Sequence, residues 1–317
     1  MTRSTAFFVN GGAGRMVCSI PAFEKYEKEN PDDDFIIVCE GGMDMYKGHP
    51  TLHRRAFDNW HKGLFNDKIK DRNCITTEPY RVWEYYNQQA NLPAAFDIQI
   101  NNKGIRDLPD PALYLGIDEK IQGQDIIDEV REKTQKQKVI VFQPYGRGTQ
   151  PMGTKGQQLV DVGGRSFSDQ DALKIMKKLQ RKYAIVLMSE FATDMSKWGL
   201  ADPVAQPENC PLRVWAAAID AADGFLGCDS VGQHFAYSLK TPAVTVLGAT
   251  FQENVSYPDN DIFQVLDLGH GRRRYDPIRI SFEEEIGRSH QGIMMLGDQA
   301  VDEICKEVDT IVSKGIK

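Results

Sequence analysis

Five residues in one short stretch carry the chemistry most readily read from this chain. Asp229, Ser230, Gly232, Gln233 and His234 follow an apolar run at 224–226 and stand at the start of a predicted helix. A second apolar run at 243–247 then ends in Gly248, Ala249 and Thr250. Ser230 and Gln233 have the S-x-x-Q spacing of a capping box, in which two side chains satisfy backbone donors and leave the other first-turn amides for an anion. Gly232 would let a ligand approach, His234 would donate from the fourth helical position, and Thr250 would add a hydroxyl. The chemistry predicted is the holding of a phosphate or diphosphate. A capped helix with a structural histidine is the plainer alternative.

Two further loops have the same grammar. Asn10, Gly11, Gly12, Ala13, Gly14 and Arg15 form a strand-to-helix turn, and Glu40 follows the next apolar run. Together these admit a dinucleotide and hence an NAD-dependent oxidoreductase. The spacing is not G-x-G-x-x-G, however, and no Lys-Ser/Thr of a phosphate-binding P-loop follows. In the second half, residues 143–149 contain Gly146, Arg147, Gly148 and Thr149, which offer backbone approach, charge and a hydroxyl to an oxyanion. Glu190 ends another apolar run and is placed to hold ribose hydroxyls or read a base; an ordinary strand-end acid is the alternative.

Apolar strand-like runs alternate with helix-like segments along the whole chain, which predicts an α/β protein with mainly parallel sheets. Strands are expected at 6–9, 35–39, 74–76 and 96–100 in the first half, with helices near 17–29 and 81–89. A charged helix at 120–135 is expected to close that half. The second half restarts with a strand at 138–142, a helix at 169–182, a strand at 184–188 and a helix at 212–222. The expected division is a first domain over 1–130, a polar linker at 131–137, a second domain over 138–296 and a C-terminal helix at 297–317 that crosses back to the first domain.

With 317 residues the chain can build two ordinary cores. A net charge of −7 argues against nucleic-acid binding by the whole surface. The segment 47–72 runs against that balance, with seven Lys or Arg, three Asp and interleaved Phe57, Trp60 and Phe65. Arg54, Arg55, Trp60 and Lys62 there, with Gly12 and Arg273, are the candidates for holding an anionic acceptor. The plainer reading of 47–72 is an amphipathic helix burying Phe57, Trp60, His61 and Leu64. Six cysteines without C-x-x-C spacing read as reduced thiols of a cytoplasmic protein. No apolar run approaches the roughly 20 residues of a membrane span, and residues 1–5 show no secretory cleavage pattern. D-x-D spacings at 32–34 and 259–261 read as polar turns, so no metal is expected. Oligomeric state is not legible.

The pattern Asp-Ser-x-x-x-His-x-Ala from Asp229 to Ala236, followed by Thr241, Pro242, an apolar strand, Gly248 and Thr250, resembles the donor-site motif of the ADP-heptose:lipopolysaccharide heptosyltransferases, glycosyltransferase family nine. Residues 14–22 overlay that family's Gly-Asp-x-x-x-Thr-x-Pro-Ala, and 143–149 occupy the place of its His-Pro-Gly-x-Ser-like loop. The resemblance implies a GT-B fold, two Rossmann-like domains facing a cleft. It also implies inverting, metal-independent transfer of a sugar from a UDP- or ADP-linked donor, with that nucleoside diphosphate sugar as co-substrate and no other cofactor.

Two departures matter. Val231 stands where the family has Gly, and Arg15 stands where it has the Asp that serves as general base. Arg cannot take a proton at neutral pH, and a placed base is worth 10² to 10⁴ in rate. Glu40 and then Asp44 are the replacement candidates, with Arg15 left to bind an anionic acceptor or the departing diphosphate; a sugar-nucleotide-binding protein without activity is the alternative. In general character the chain also resembles the glycosyltransferases of T-even-type bacteriophages, which decorate hydroxylated cytosines in phage DNA. That implies a DNA acceptor in a host cytoplasm, as an alternative to a lipopolysaccharide or other saccharide core.

Overall fold

Runs rich in β-branched and aromatic residues form short strands, most of them buried on both faces, as parallel sheets covered by helices require. The computed structural model describes residues 4–152, 158–161, 164–191, 195, 198–272, 274 and 293–314. These divide between Gly116 and Ile117 into two units, each with its own sheet.

In the first unit, β1 (Thr5–Val9), β2 (Ile36–Cys39), β3 (Ala56–Asp58) and β4 (Asn73–Thr77) are parallel in the order β3-β2-β1-β4. The helices are α1 (Ala13–Glu29), the single turn α2 (Trp83–Tyr86) and α3 (Leu92–Asn101). Phe7 from β1 meets Phe23, Tyr26 and Phe35 with ring centroids 4.9 to 6.1 Å apart, which fixes α1 on one face of the sheet. The expected strand at 96–100 is part of α3. Asn91 caps that helix by accepting from the Ala94 amide at 3.0 Å, and Leu92, Ala95, Phe96 and Ile100 are buried at helical spacing. A short apolar run reads equally as strand or helix until its cap is recognised.

Segment 47–72 is not the amphipathic helix that its spacing allows. It contributes β3 and a π-helical turn, Leu64–Ile69, and packs Phe57, Leu64 and Ile69 against Ala6, Ile36 and Val38 of the sheet. Trp60 and His61 face solvent instead of the core, Trp60 being 87% exposed.

The second unit begins with α4 (Ile117–Thr134) and β5 (Val139–Gln143). An antiparallel hairpin, β6 (Thr149–Met152) and β7 (Gln158–Asp161), leads to α5 (Asp169–Leu179) and β8 (Ala184–Leu187). Then come α6 (Leu212–Ala221), β9 (Gly224–Cys228), α7 (Val231–Ser238), β10 (Ala243–Leu247), α8 (Gln252–Val255), β11 (Phe263–Asp267) and α9 (Asp298–Ser313). The parallel sheet has the order β11-β10-β9-β5-β8.

Two of the expected boundaries are corrected. Residues 117–134 do not close the first half, because α4 presents Glu119, Gly123, Ile127 and Val130 as one stripe to the second unit. Glu119 receives a two-pronged ion pair from Arg213 of α6, at 2.7 and 2.8 Å, with both side chains buried. The C-terminal helix also belongs to the second unit: Val301, Ile304, Val308, Ile311 and Val312 of α9 join the core formed by Ile140, Phe142, Ile175 and Leu179. Lys138 Nζ caps the end of α9 by donating to the Val312 carbonyl at 3.0 Å.

Helix α4 crosses α6 at a glycine. A Cβ on Gly123 would stand 2.5 Å from the backbone carbon of Ala217, which cannot yield as a flexible side chain would. Replacing Gly123 with Ala is therefore expected to destabilise the second unit by about 1 to 3 kcal/mol, the range for overpacking, as measured by urea unfolding.

Candidate functional site

Open parallel sheets hold ligands at the carboxyl ends of the strands, where the strand order reverses and neighbouring loops part. Reversal occurs between β5 and β9 in the second unit and between β1 and β4 in the first. Most of the candidate residues cluster at these two places.

At the β5/β9 position, Asp229 and Ser230 lie between β9 and α7, and Gln143 ends β5. Ser230 is the N-cap, but the expected capping box does not form, since its side chain makes no cap hydrogen bond. Gln143 supplies the interaction from the neighbouring strand: its Nε2 donates to Ser230 Oγ at 3.2 Å and its Oε1 accepts the Gly232 amide at 3.0 Å. One first-turn amide expected to be open to an anion is thus already bonded. Gly232 serves packing, for a Cβ there would come within 2.4 Å of Gln143 Oε1 and 2.5 Å of the Phe225 ring. Gln233 turns away from the cap, donating to Asp229 Oδ1 at 2.9 Å and accepting from Ser256 Oγ at 2.7 Å.

His234 is buried, with Nδ1 2.9 Å from the Tyr257 hydroxyl. Burial pushes its pKa down to about 4, so the ring is neutral at physiological pH. As a neutral ring it carries one N–H donor and no positive charge. Thr250 is also buried; its Oγ1 lacks a hydrogen-bond partner among the described residues, while its carbonyl accepts from Arg274 at 2.7 Å.

The loop after β5 is organised by residues the sequence reading passed over. Gly146 donates its amide to Ser166 Oγ at 2.9 Å, Thr149 Oγ1 lies 2.9 Å from the same hydroxyl, and Ser166 donates to Asp161 Oδ2 at 2.6 Å. Gly148 is needed because a Cβ would fall 2.6 Å from Asp161 Oδ1. Gly146 and Thr149 are therefore engaged within the loop, while Arg147 is exposed and Glu190 is exposed just past β8. Arg165 Nη1 lies 3.7 Å from Asp229 Oδ2 and brings a cation to the start of α7. No local motif announced Arg165 or Asp161, since a turn on the far side of a hairpin carries them there.

In the first unit, Gly12 is the N-cap of α1, and Gly11 takes a positive φ of 97° that lets the Arg15 side chain run across it. Arg15 is not open to an anion. It is 9% exposed, lies over the Tyr80 ring at 4.8 Å and the Phe96 ring at 5.7 Å, and pairs with Glu78 at 3.5 Å. Glu78 follows β4 directly and was missed in the sequence, although an acid between a strand and Pro79 was the available signal. Glu40 and Asp44 are exposed, the first just past β2 and the second in a short 3₁₀ turn. Arg55 is structural: it donates to Glu27 at 2.9 Å and the Phe35 carbonyl at 3.0 Å and lies over the Phe35 ring. Arg54, Trp60 and Lys62 remain exposed candidates, and Arg273 lies outside the described residues. Of the D-x-D residues, Asp34 accepts from Arg72 at 2.8 Å, and Asp259 accepts from the Val265 amide. Among the described residues no group of three or more His, Cys, Asp or Glu is arranged to hold a metal ion, and no helix is long and apolar enough to cross a membrane.

Comparison with solved structures gives a match over essentially the whole chain. A glycosyltransferase of family nine from Veillonella parvula DSM 2008 superposes with a TM-score of 0.68 at 12% identity, covering 99% of this chain and 98% of its own. The fold is GT-B. Two further GT-B matches are the ADP-heptose lipopolysaccharide heptosyltransferase II of E. coli, with a TM-score of 0.60, 11% identity and coverage of 99% and 100%, and TibC, a dodecameric iron-containing glycosyltransferase of E. coli H10407, with 0.61, 10%, 98% and 80%. No family model and no curated protein sequence matches the chain. The likeness read from residues 14–22 and 229–250 thus holds at the level of the GT-B fold, while the sequences have diverged almost completely.

The state of His234 has a measurable consequence. In the unfolded chain the ring titrates near 6.5, and in the folded chain near 4, so the unfolded state binds more protons between those values. The stability that the neutral ring allows is present above pH 6.5 and lost as the pH falls towards 4. Relative to the variant His234→Gln, the parent should lose on the order of 3 kcal/mol across that window, read from urea unfolding at each pH.

Proposed function

We propose that the chain is a nucleotide-sugar-dependent glycosyltransferase that binds its donor on the second unit and its acceptor on the first. The observation that carries this reading is a coincidence of place. In a chain that takes the GT-B fold along its whole length, the Asp229 to Ala236 motif of the donor-binding family falls where the strand order reverses between β5 and β9. An ADP-linked sugar is favoured by the heptosyltransferase among the structural neighbours, with a UDP-linked sugar as the alternative. Transfer proceeds with inversion. Arg147 and Arg165, not a metal ion, meet the charge of the departing diphosphate, while Ser230 and the positive end of α7 orient it.

The acceptor on this reading is an anionic molecule bearing a hydroxyl: a lipopolysaccharide or other glycan core, or the hydroxylated cytosine of phage DNA. Support comes from segment 47–72, where Trp60 and Phe65 project into solvent at 87% and 63% exposure among the exposed cations Arg54, Lys62 and Lys70. Exposed rings among cations suit a sugar face or a base together with phosphate.

A thermal-shift panel of ADP, UDP and GDP sugars and NAD tests the donor. An ADP- or UDP-linked sugar at about 100 times its Kd should add about 2.7 kcal/mol of stability and NAD none; tight NAD binding with indifference to every sugar nucleotide overturns the reading. Incubation of the preferred donor with lipopolysaccharide core or with hydroxymethylated DNA, read by product mass with and without EDTA, then identifies the acceptor. Trp60→Ala and Lys62→Glu should weaken acceptor binding while leaving unfolding within about 0.5 kcal/mol of the parent, since neither residue is buried. With DNA that binding should also fall steeply with salt.

A further inference from the structure

The family's loop carboxylate is absent at Arg15, yet a carboxylate stands beside it. Glu78 enters from the end of β4, the strand next to β1, and is 9% exposed. Its backbone is clamped by Gln99, whose Oε1 accepts the Glu78 amide at 2.5 Å and whose Nε2 donates to the Glu78 carbonyl at 3.0 Å. Its two oxygens are only loosely occupied, Oε1 by Arg15 Nη2 at 3.5 Å and Oε2 by Asn10 Nδ2 at 3.3 Å. Both exceed the ordinary range of about 2.7 to 3.2 Å for such bonds, and a carboxylate has about four acceptor positions. Two neighbouring atoms are also buried without a hydrogen-bond partner among the described residues: the Arg15 Nε donor and the Asn10 Oδ1 acceptor. Buried polar groups ordinarily find partners, so an unmet donor and an unmet acceptor beside an under-occupied carboxylate, where β1 and β4 part, point to a ligand.

The chemistry of that ligand follows from what is unmet. The ion pair carries no net charge, so nothing there favours a phosphate. A hydroxyl can donate to Glu78 and accept from Arg15 Nε at once, and a second hydroxyl can donate to Asn10 Oδ1. Resting on the transferase reading above, we propose that Glu78 is the general base of glycosyl transfer and that Arg15 and Asn10 hold the acceptor there as a polyol through its reacting hydroxyl and a neighbour. As the hydroxyl oxygen bonds to the anomeric carbon of the nucleoside diphosphate sugar, the bond from that carbon to the diphosphate oxygen breaks and its electron pair leaves on the diphosphate. The hydroxyl proton passes to the Glu78 carboxylate, from which solvent later removes it. The base has moved from the loop after β1 to the end of the adjacent strand, and Arg15 has become the group that positions it.

The test uses the full chain, a mixture of ADP-heptose, UDP-glucose and GDP-mannose, and deacylated lipopolysaccharide core as the polyol. Glu78→Gln should lower kcat by 10² to 10⁴ while donor Kd, measured separately by calorimetry, stays within twofold. The acidic limb of the pH–rate profile should disappear with it, which the loss of a merely structural contact would not cause. Because Glu78→Gln can also loosen the loop, Glu78→Asp provides a second measure. It keeps the charge but withdraws it by about 1 Å, a displacement that costs on the order of 10²-fold at a reacting group. A folded Glu78→Asp with kcat down tenfold or more supports the assignment. Full activity in either variant overturns it, as does a parent that binds a donor and transfers nothing to the core. A parent that binds none of the three donors overturns the transferase reading itself, and this inference falls with it.

Discussion

A parallel sheet leaves the polar groups at its carboxyl edge without strand partners, and where the strand order reverses no helix lies directly over the gap. Each unit of this chain meets that constraint with side chains that reach across from the neighbouring strand. Between β5 and β9 the reach is made by Gln143, which bonds the Ser230 hydroxyl and the Gly232 amide at the mouth of α7. Between β1 and β4 it is made by Glu78, which draws in Asn10 and Arg15. Beside these two spans, Gln233 turns to Asp229 and Ser256, and Arg15 lies over Tyr80 with its far end 3.5 Å from Glu78.

The two places differ electrostatically. The second-unit position has Arg147 exposed and Arg165 beside Asp229, together with the positive end of α7, and so tolerates an anion. His234 contributes shape there, its ring held neutral by burial against Tyr257. The first-unit position is internally neutral, an ion pair under aromatic rings with one donor and one acceptor unmet. Charge in the first unit is displaced to the surface of segment 47–72, where cations surround the exposed rings of Trp60 and Phe65.

Stability in the second unit is concentrated in contacts of long sequence separation. The Arg213 to Glu119 pair joins α6 to α4 and leaves neither charge alone, and removing either partner would strand the other in a buried position. Helix α9 closes the same core from the C-terminal end, with Tyr183 donating to Asp309 at 2.8 Å as an outer tie. Residues around the β5/β9 edge therefore depend on segments far away in sequence, in a fold shared with solved structures at 10 to 12% identity.

Periodicity alone determined the alternating α/β plan and seven of the eleven strands among the described residues, because buried parallel strands must be continuous apolar runs whatever surrounds them; β3, the β6–β7 hairpin and β11 were not read from it. It failed at 96–100, where the Asn91 cap converted an apolar run into α3, and in segment 47–72, where packing on the sheet overrode helical spacing. The spacing of Asp229, Ser230 and His234 marked a strand-to-helix turn at a sheet edge, yet the partners of its residues were not in the spacing. Only the tertiary structure could give Gly232 its amide partner, neutralise His234 by burial, retire Arg55 to a structural tie and bring Arg165 to Asp229. Likewise a sequence can record that an Asp has become Arg15, but the carboxylate beside it comes from the end of β4, and parallel strands become neighbours only when the sheet forms.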